Sequence, residues 1–388
     1  MEALKKIAAI ITEYRPEAHA DAIVTKFLKG FPTDQGVYQP RVKLASMYVD
    51  QFPKNDLSRY YAEQYNVPIF DSIVEALTLG GNQLAVDGVL LIGEHGNYAW
   101  NEKEQHLYPR KYFLEQICGV LATSGRFVPI FNDKHLSYNW NDAIWMYNRT
   151  RQLNAPFMGG SILPLCWRNP WLEHPNGIPI REAMAIGYSG LDYYGFHALE
   201  TLQCMIERRE GGETGVSAVT CLEGEAVWDA AKDGVWSREL AEASCSAIEN
   251  KPSGSIESKC PHPVVFLIEY KDGFKGTVLM LNGYVSDSAY AARIENDILA
   301  TEFYLQKKPP FGHFSYLCLN LEEMFITGKE TYPIERSLLT TGILEAALDS
   351  RYKNHRRIET PYLNIAYSSY HSIPWRPRGP RPDGALKV

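Results

Sequence analysis

The apolar run at residues 86–93, Val-Asp-Gly-Val-Leu-Leu-Ile-Gly, constrains the fold more than any other stretch of the chain. Apolar and polar positions do not alternate in it, which is typical of a strand buried on both faces of a parallel sheet. Other predicted strands alternate with helices on either side of it. The strands are residues 6–12, 42–50, 67–70, 127–131 and 156–158, and the helices are residues 16–30, 57–65, 71–79, 109–123 and 140–153. This order predicts a Rossmann-like, doubly wound α/β domain with a parallel sheet over residues 1–155.

The second half of the chain has a different pattern, in which strands follow one another. Residues 264–270 and 275–281 are joined through Asp272-Gly273, a dipeptide favoured in tight hairpins. A strand at 216–222 precedes them. The prediction is an α+β domain over residues 156–370 with a large open antiparallel sheet. Its predicted helical stretches are residues 181–209, 313–327 and 335–351.

The end of the chain is rich in proline and arginine, and residues 371–388 are predicted to form an extended tail. Solvated disorder is the preferred interpretation. A clasp between subunits, formed by the arginines, is the alternative.

Composition limits the partners and the setting. The chain has 388 residues, with 46 acidic against 39 basic side chains, so it has no electrostatic footprint for nucleic acid, and a small molecule is expected. The seven cysteines are scattered and include no Cys-x-x-Cys pair, which favours a reducing, cytoplasmic setting. No apolar run reaches the roughly 18 residues of a membrane span.

Acid/base and metal-ligand side chains follow two neighbouring strands of the predicted sheet. Glu94 and His95 follow one strand, and Asp133, Lys134 and His135 follow the next. Since the carboxyl ends of parallel strands meet at one edge of a sheet, we expect these side chains to converge. Histidine with carboxylate suits zinc, manganese or iron, so Glu94, His95, Asp133 and His135 are candidate ligands of a divalent metal. Hydrogen-bonded structural histidines are the alternative.

Two motifs resemble those of the Gfo/Idh/MocA family of sugar and polyol oxidoreductases. Residues 133–135, Asp-Lys-His, match its Glu-Lys-Pro and keep the lysine; residues 193–200 match its Asp-x-Gly-x-His-x-x-Asp and keep Gly195, His197 and a final acid, Glu200. The stretches at 333–342 and 359–362 also resemble the end of a family member. The resemblance implies a dinucleotide fold followed by an open-sheet domain, and a homo-oligomer formed through that sheet. It also implies that Lys134 assists proton or hydride transfer and that His197 exchanges a proton with a hydroxyl.

The turn after the first strand departs from the family pattern. Family members bind the nicotinamide pyrophosphate on Gly-x-Gly-x-x-Gly-x-x-His; aligned on His19, the glycine positions here are Ile11, Glu13 and Pro16. An acid and a missing N–H donor argue against ordinary NAD(P) binding. Two features remain for a cofactor: Asp50 in the place of a ribose-binding acid, and Arg15 as a possible phosphate contact.

Further candidates concern the substrate. Arg208 and Arg209 could receive an anionic group by paired hydrogen bonds, and Tyr194 and Trp167 could stack on a sugar ring. A charged loop and core packing are the alternative interpretations. At helical spacing His197, Glu200 and Cys204 share one face, which is predicted to point toward solvent or the cleft.

These observations favour an acid/base enzyme that acts, with or without a metal, as a lyase, hydrolase or isomerase on a polyhydroxylated, sugar-like molecule without ordinary nicotinamide binding. One alternative is an NAD(P)-dependent sugar or polyol oxidoreductase with a divergent phosphate turn. A second alternative is a non-catalytic sugar-binding or assembly subunit.

Overall fold

The computed structural model describes residues 4–251, 253–306 and 308–378. The strands of the first part are β1 (Lys5–Glu13), β2 (Phe31–Thr33), β3 (Gly36–Tyr38), β4 (Val42–Gln51), β5 (Ile69–Phe70), β6 (Gly88–Ile92), β7 (Ile130–Asp133) and β8 (Phe157–Gly160). The helices are α1 (His19–Lys29), α2 (Ser58–Tyr65), α3 (Ile73–Thr78), α4 (Arg110–Ser124) and α5 (Trp140–Gln152). Six strands form a sheet in the order β5-β4-β1-β6-β7-β8, and all of its pairs are parallel. The predicted Rossmann-like sheet is confirmed.

The apolar run that predicted this sheet lies near its centre. All five residues of β6 are buried, and β6 pairs with β1 on one side and β7 on the other. Two predicted boundaries are wrong. Helix α1 begins at His19 rather than at residue 16, because the preceding residues form a turn in which Glu17 has φ +65°. Strand β7 begins at Ile130, and Phe127 is 43% exposed.

The second part of the chain is built on a larger sheet. Its strands are β9 (Trp167–Asn169), β10 (Ile180–Gly187), β11 (Val216–Glu223), β12 (His262–Tyr270), β13 (Lys275–Asn282), β14 (Ser288–Ile294), β15 (Asp297–Tyr304) and β16 (Ile358–Glu359). Its helices are α6 (Tyr193–Ile206), α7 (Glu225–Lys232), α8 (Arg238–Ala247), α9 (Ile256–Lys259), α10 (His313–Thr327) and α11 (Glu335–Tyr352). The eight strands are ordered β16-β11-β12-β13-β10-β14-β15-β9, and every pair is antiparallel except β10–β13. None of the helices in the described ranges is long and apolar enough to cross a membrane.

Two parts of this sheet differ from the prediction. Residues 181–187 were expected in a helical stretch but lie in the strand β10, because pairing with both β13 and β14 outweighs the helical preference of a run that contains Arg, Glu, Ala and Met. The hairpin of β14 and β15 was not predicted. Its two strands meet through a two-residue turn in which Glu295 has φ +54°.

Both faces of the large sheet are covered by the same chain. One face packs under α6 and α11 in the main apolar core. On the other face, Met184, Val265 and Leu279 pack against Trp228 of α7 and Leu240 of α8. The segment between β11 and β12 thus covers this face within the chain, and the association of copies through the sheet stays a prediction.

Some of the final described residues contact the rest of the chain. Trp375 contacts the Tyr38 ring at a centroid distance of 5.1 Å, and the Arg376 guanidinium lies 3.0 Å from a Glu173 carboxylate oxygen. His371, Ser372, Pro374 and Arg378 are exposed, and the extended tail stays a prediction. Residues 379–388 of the predicted tail lie outside the described residues.

Two glycines inside helices differ in how closely neighbouring side chains pack against them. A Cβ at Gly342 in α11 would overlap the Leu363 side chain and lie 3.0 Å from the Trp140 ring, whereas a Cβ at Gly119 in α4 meets nothing within 4 Å. We expect Gly342→Ala to lower the free energy of unfolding by about 1–3 kcal/mol through overpacking. Gly119→Ala should raise it by about 0.5–1 kcal/mol, because alanine restricts the unfolded chain. Urea unfolding of both variants is the measurement, and equal effects at the two sites would contradict this account.

Candidate active site

The site lies at the carboxyl edge of the parallel sheet, where β7 ends at Asp133. Lys134 follows with φ +68°, and its backbone exchanges hydrogen bonds with Gly160 at the end of β8 (3.1 and 3.2 Å). Gly160 has φ +111°, and a Cβ there would come within 2.7 Å of a Glu200 carboxylate oxygen. Glycine is therefore required at this position, and the backbone of Lys134 is held in place by its pairing with it.

The side chain of Lys134 reaches helix α6. Its Nζ lies 2.5 Å from Nε2 of His197, and Nδ1 of His197 lies 2.5 Å from the Ser161 hydroxyl. Burial and the neighbouring lysine charge lower the pKa of His197 well below its usual value, so the imidazole is neutral at neutral pH. A protonated Lys134 then donates to Nε2, and the proton of the ring resides on Nδ1.

Glu94, which follows β6, supplies the negative charge beneath this pair. One of its oxygens lies 2.6 Å from the Arg110 guanidinium, and the other lies 3.7 Å from Lys134 Nζ. Burial alone would raise the pKa of Glu94, but the charges of Lys134 and Arg110 outweigh burial and hold that pKa well below its usual range. Glu94 is thus ionised and stabilises the charged form of Lys134.

A cleft of about 430 Å³ opens beside His197. Its walls come from the start of α1, from α6 and from the segment leading into α10. The residues lining it are Glu17, His19, Ala22, Ile162, Tyr188, Tyr194, His197, Ser286, Leu305, Phe311, His313 and Phe314. Of the four predicted substrate contacts, only Tyr194 is among them.

The other three predicted substrate contacts have structural partners. Trp167 is 1% exposed and packs edge-on against Tyr316. Arg208 bonds Glu173 at 3.0 Å, and Arg209 bonds Glu213 and Asp272. The three side chains are buried and do not line the cleft, and their role in substrate binding stays a prediction.

Glu200, predicted as catalytic, does not line the cleft. Its carboxylate accepts hydrogen bonds from the backbone N–H of Ser161 (3.2 Å) and from the Thr340 hydroxyl (2.9 Å). Burial raises the pKa of Glu200 to about 7. Of the expected polar face of α6, His197 lines the cleft, whereas Glu200 and Cys204 are turned into the protein. Glu200 contacts the segment that holds His197.

The four predicted metal ligands are divided among separate pairs. Asp133 binds Nδ1 of His19 at 2.6 Å, His135 faces Arg110 at 3.0 Å, and His95 lies 3.4 Å from Arg15. Glu94 is engaged by two cations as described above. Within the described ranges, no three His, Cys, Asp or Glu side chains are grouped so that they could hold a metal ion. We do not retain the metal prediction.

The two predicted cofactor contacts, Arg15 and Asp50, are already engaged. Arg15 Nε bonds the Glu13 carboxylate at 2.5 Å. Asp50 accepts hydrogen bonds from the hydroxyls of Tyr48 (2.8 Å) and Tyr98 (2.6 Å).

The segment after β6 also crosses the end of β1. The backbone N–H of Asn97 donates to the Gln51 side chain at the end of β4 (2.8 Å), and β1 lies between β4 and β6 in the sheet. This is the crevice where a doubly wound sheet takes a dinucleotide. Glu13 and Pro16 occupy glycine positions of the dinucleotide motif, and the segment after β6 crosses the same crevice. These residues therefore do not fit a pyrophosphate in the way that a glycine turn does.

Sequence reasoning missed several contributors to the site. His19 served only to align the turn, although its place at the start of α1 put it on the same edge as Asp133. Ser161, Arg110 and His313 carried no recognisable motif, and their roles depend on contacts between elements distant in the sequence.

The burial of Glu200 gives a pH-dependent prediction. Its pKa is about 7 in the folded protein against 4.5 ordinarily, so the unfolded chain loses this proton first as pH rises. The carboxylate therefore costs stability between about pH 4.5 and 7, by roughly 3 kcal/mol at 1.36 kcal/mol per pKa unit. Between pH 4 and pH 8, the free energy of unfolding of Glu200→Gln, measured by chemical unfolding, should rise relative to that of the wild type by about this amount. Glu225→Gln, at a side chain 76% exposed, is the control, and a pH-independent difference for Glu200→Gln would contradict the account.

No protein-family model matches the sequence, and no curated protein matches it. Similar solved structures include GenD2 from gentamicin A biosynthesis in complex with NAD, with 11% identity, a TM-score of 0.57, and coverage of 92% of this chain and 97% of that one. Scyllo-inositol dehydrogenase from Lactobacillus casei with bound NAD(H) and scyllo-inositol has 10% identity, a TM-score of 0.56 and coverage of 92% and 99%. Myo-inositol 2-dehydrogenase from Lactobacillus plantarum has 11% identity, a TM-score of 0.55 and the same coverage. The chain thus has the two-domain fold of Gfo/Idh/MocA-type inositol and sugar dehydrogenases, which confirms the fold implied by the sequence resemblance.

Proposed function

We propose that this protein is an enzyme that acts on a polyhydroxylated, sugar-like small molecule by transferring a proton at a substrate oxygen. The observation that carries the proposal is the 2.5 Å contact between Lys134 Nζ and Nε2 of His197, a residue that lines the cleft. A charged amine beside a neutral imidazole can give a proton to an oxygen and recover it through the ring.

The surroundings of the pair suit this role. Glu94 places a carboxylate oxygen 3.7 Å from the lysine amine, and Ser161 contacts the histidine ring from the other side. Lys134 is 3% exposed, so its charge acts in a region with little water, where electrostatic effects on a substrate oxygen are strong.

The lining of the cleft supports a sugar-like substrate. Tyr188 and Tyr194 offer rings and hydroxyls, Ser286 and Glu17 add polar groups, and about 430 Å³ is enough for a six-carbon polyol. Two of the similar structures are inositol dehydrogenases, one of them with scyllo-inositol bound.

An oxidoreductase is the reaction class that the comparisons favour. Similar structures carry NAD or NAD(H), which supplies or accepts a hydride when bound. In this class, Lys134 and His197 would handle the proton of the hydroxyl group that is oxidised or formed.

Acid/base chemistry without a nicotinamide is the second candidate, as in an isomerase or a lyase. The observations that favour it are the Glu13–Arg15 ion pair in the turn and the segment that crosses the end of β1. The same two side chains would act on the substrate oxygen in this class.

Titration with NADH and NADPH, followed by calorimetry, separates the two classes. Binding in the micromolar range, together with NAD(P)-dependent turnover of an inositol or an aldose, would establish the oxidoreductase. No binding at 1 mM cofactor, with turnover of a sugar substrate alone, would establish the second class. Absence of any turnover with or without cofactor would overturn the proposal and leave a binding or assembly role.

Substitution of the pair tests the proposal directly. We expect Lys134→Met and His197→Gln each to lower kcat by at least about 100-fold, the usual contribution of a general acid or base. Lys232→Met, at a side chain 63% exposed on α7, is the matched control and should keep full activity. Retention of kcat by Lys134→Met, in protein with an unchanged unfolding midpoint, would contradict the assignment.

A further inference from the structure

His19, the first residue of α1, occupies the cleft together with His197 and the start of α10. Its side chain retains 15% exposure and lines the cleft, so a bound molecule can reach it. The proposed function does not use it, and the sequence motifs assign it no chemistry.

Asp133 fixes the state of this imidazole. Its Oδ2 lies 2.6 Å from Nδ1 of His19, and its side chain is only 2% exposed. A carboxylate accepts hydrogen bonds and does not donate them, so the proton of the neutral ring resides on Nδ1 and Nε2 keeps a free lone pair.

Two aromatic contacts hold the plane of the ring. The Phe314 ring meets it edge-on at 5.3 Å between centroids, and the His95 ring lies at 5.6 Å. A carboxylate that orients a histidine through Nδ1 is an arrangement that serves general bases on many unrelated folds.

The state of Lys134 and His197 leaves a role for such a base. In the resting site, the lone pair of His197 Nε2 already accepts a hydrogen bond from Lys134. This pair can therefore donate a proton but has no free lone pair with which to accept one. Nε2 of His19 has a free lone pair, and His19 lies at another wall of the same cleft.

We propose that His19, oriented by Asp133, is the general base of this site, and that the Lys134–His197 pair is its general acid. This inference rests on the proposed function and divides the labour within it. A substrate O–H or C–H bond breaks, its electron pair stays on the substrate, and the proton passes to Nε2 of His19. Lys134 gives a proton to the substrate oxygen that gains electron density, so the site holds the same number of protons before and after, and no oxidant is needed.

Side-chain nitrogen NMR of the ¹⁵N-labelled protein tests the geometry without a substrate. The expected result is that the neutral form of the His19 ring carries its proton on Nδ1, and that Asp133→Asn shows an appreciable Nε2–H tautomer, because the carboxamide can also donate a hydrogen bond to Nδ1. A wild-type ring protonated on Nε2 would overturn the inference whatever the activity.

Kinetics test the role, with inositols, a keto-inositol, glucose and fructose as probes, in D₂O and with or without 1 mM NAD. Turnover or deuterium incorporation should fall at least 100-fold in kcat for His19→Gln and for Asp133→Asn, with KM little changed. His262→Gln, at an exposed histidine at the start of β12, is the matched control and should behave as wild type.

The outcomes separate the two proposals. If Lys134→Met loses activity but His19→Gln retains it, the assignment of His19 is wrong and the proposed function stands. If the wild type turns over no probe, the proposed function fails, and the assignment of His19 fails with it.

Discussion

A buried charge at Lys134 is the constraint on which the site depends. Removing one ion from water costs several kcal/mol even after relaxation, so a lysine 3% exposed requires a nearby negative charge. Glu94 meets this need but is itself buried and shared with Arg110. Arg110, the first residue of α4, in turn faces His135 at 3.0 Å, and a histidine beside a guanidinium in a buried place is held neutral. The polar residues that follow β6 and β7 are therefore one electrostatic unit, in which Lys134 and Arg110 lower the pKa of Glu94, and burial beside Arg110 lowers the pKa of His135.

The sequence predicted this edge of the sheet well because the signal was local. An apolar run ending in polar residues marks a strand end, and parallel strands bring such ends together. The partners within the edge were not predictable in the same way. Asp133 and His135 have the chemistry of metal ligands, yet they point to His19 and Arg110, residues 114 and 25 positions away along the chain. Residue type gave the possible partners, and only the tertiary arrangement selected among them. Similarly, the stretch that forms β10 contains good helix formers such as Glu182, Ala183 and Met184, and its neighbours in the sheet decide its conformation.

The turn after β1 shows a compromise between the fold and its usual ligand. The strand order and the crevice of a dinucleotide fold are present, but the turn carries Glu13 and Pro16, and the segment after β6 is bonded across to β4. The tyrosine hydroxyls on Asp50 satisfy a carboxylate that would otherwise face the crevice. The crevice is thus occupied by side chains of the chain itself, while the parallel sheet beneath it keeps the strand order of a doubly wound fold.

The helices between β11 and β12 cover one face of the eight-stranded sheet, and this determines how that sheet is stabilised. An apolar sheet face needs a cover, and a cover supplied by another molecule makes stability depend on protein concentration. Here α7 and α8 supply the cover within the chain, through Trp228, Trp236 and Leu240. The contribution of this layer to folding is therefore unimolecular, and dilution of the protein leaves it unchanged.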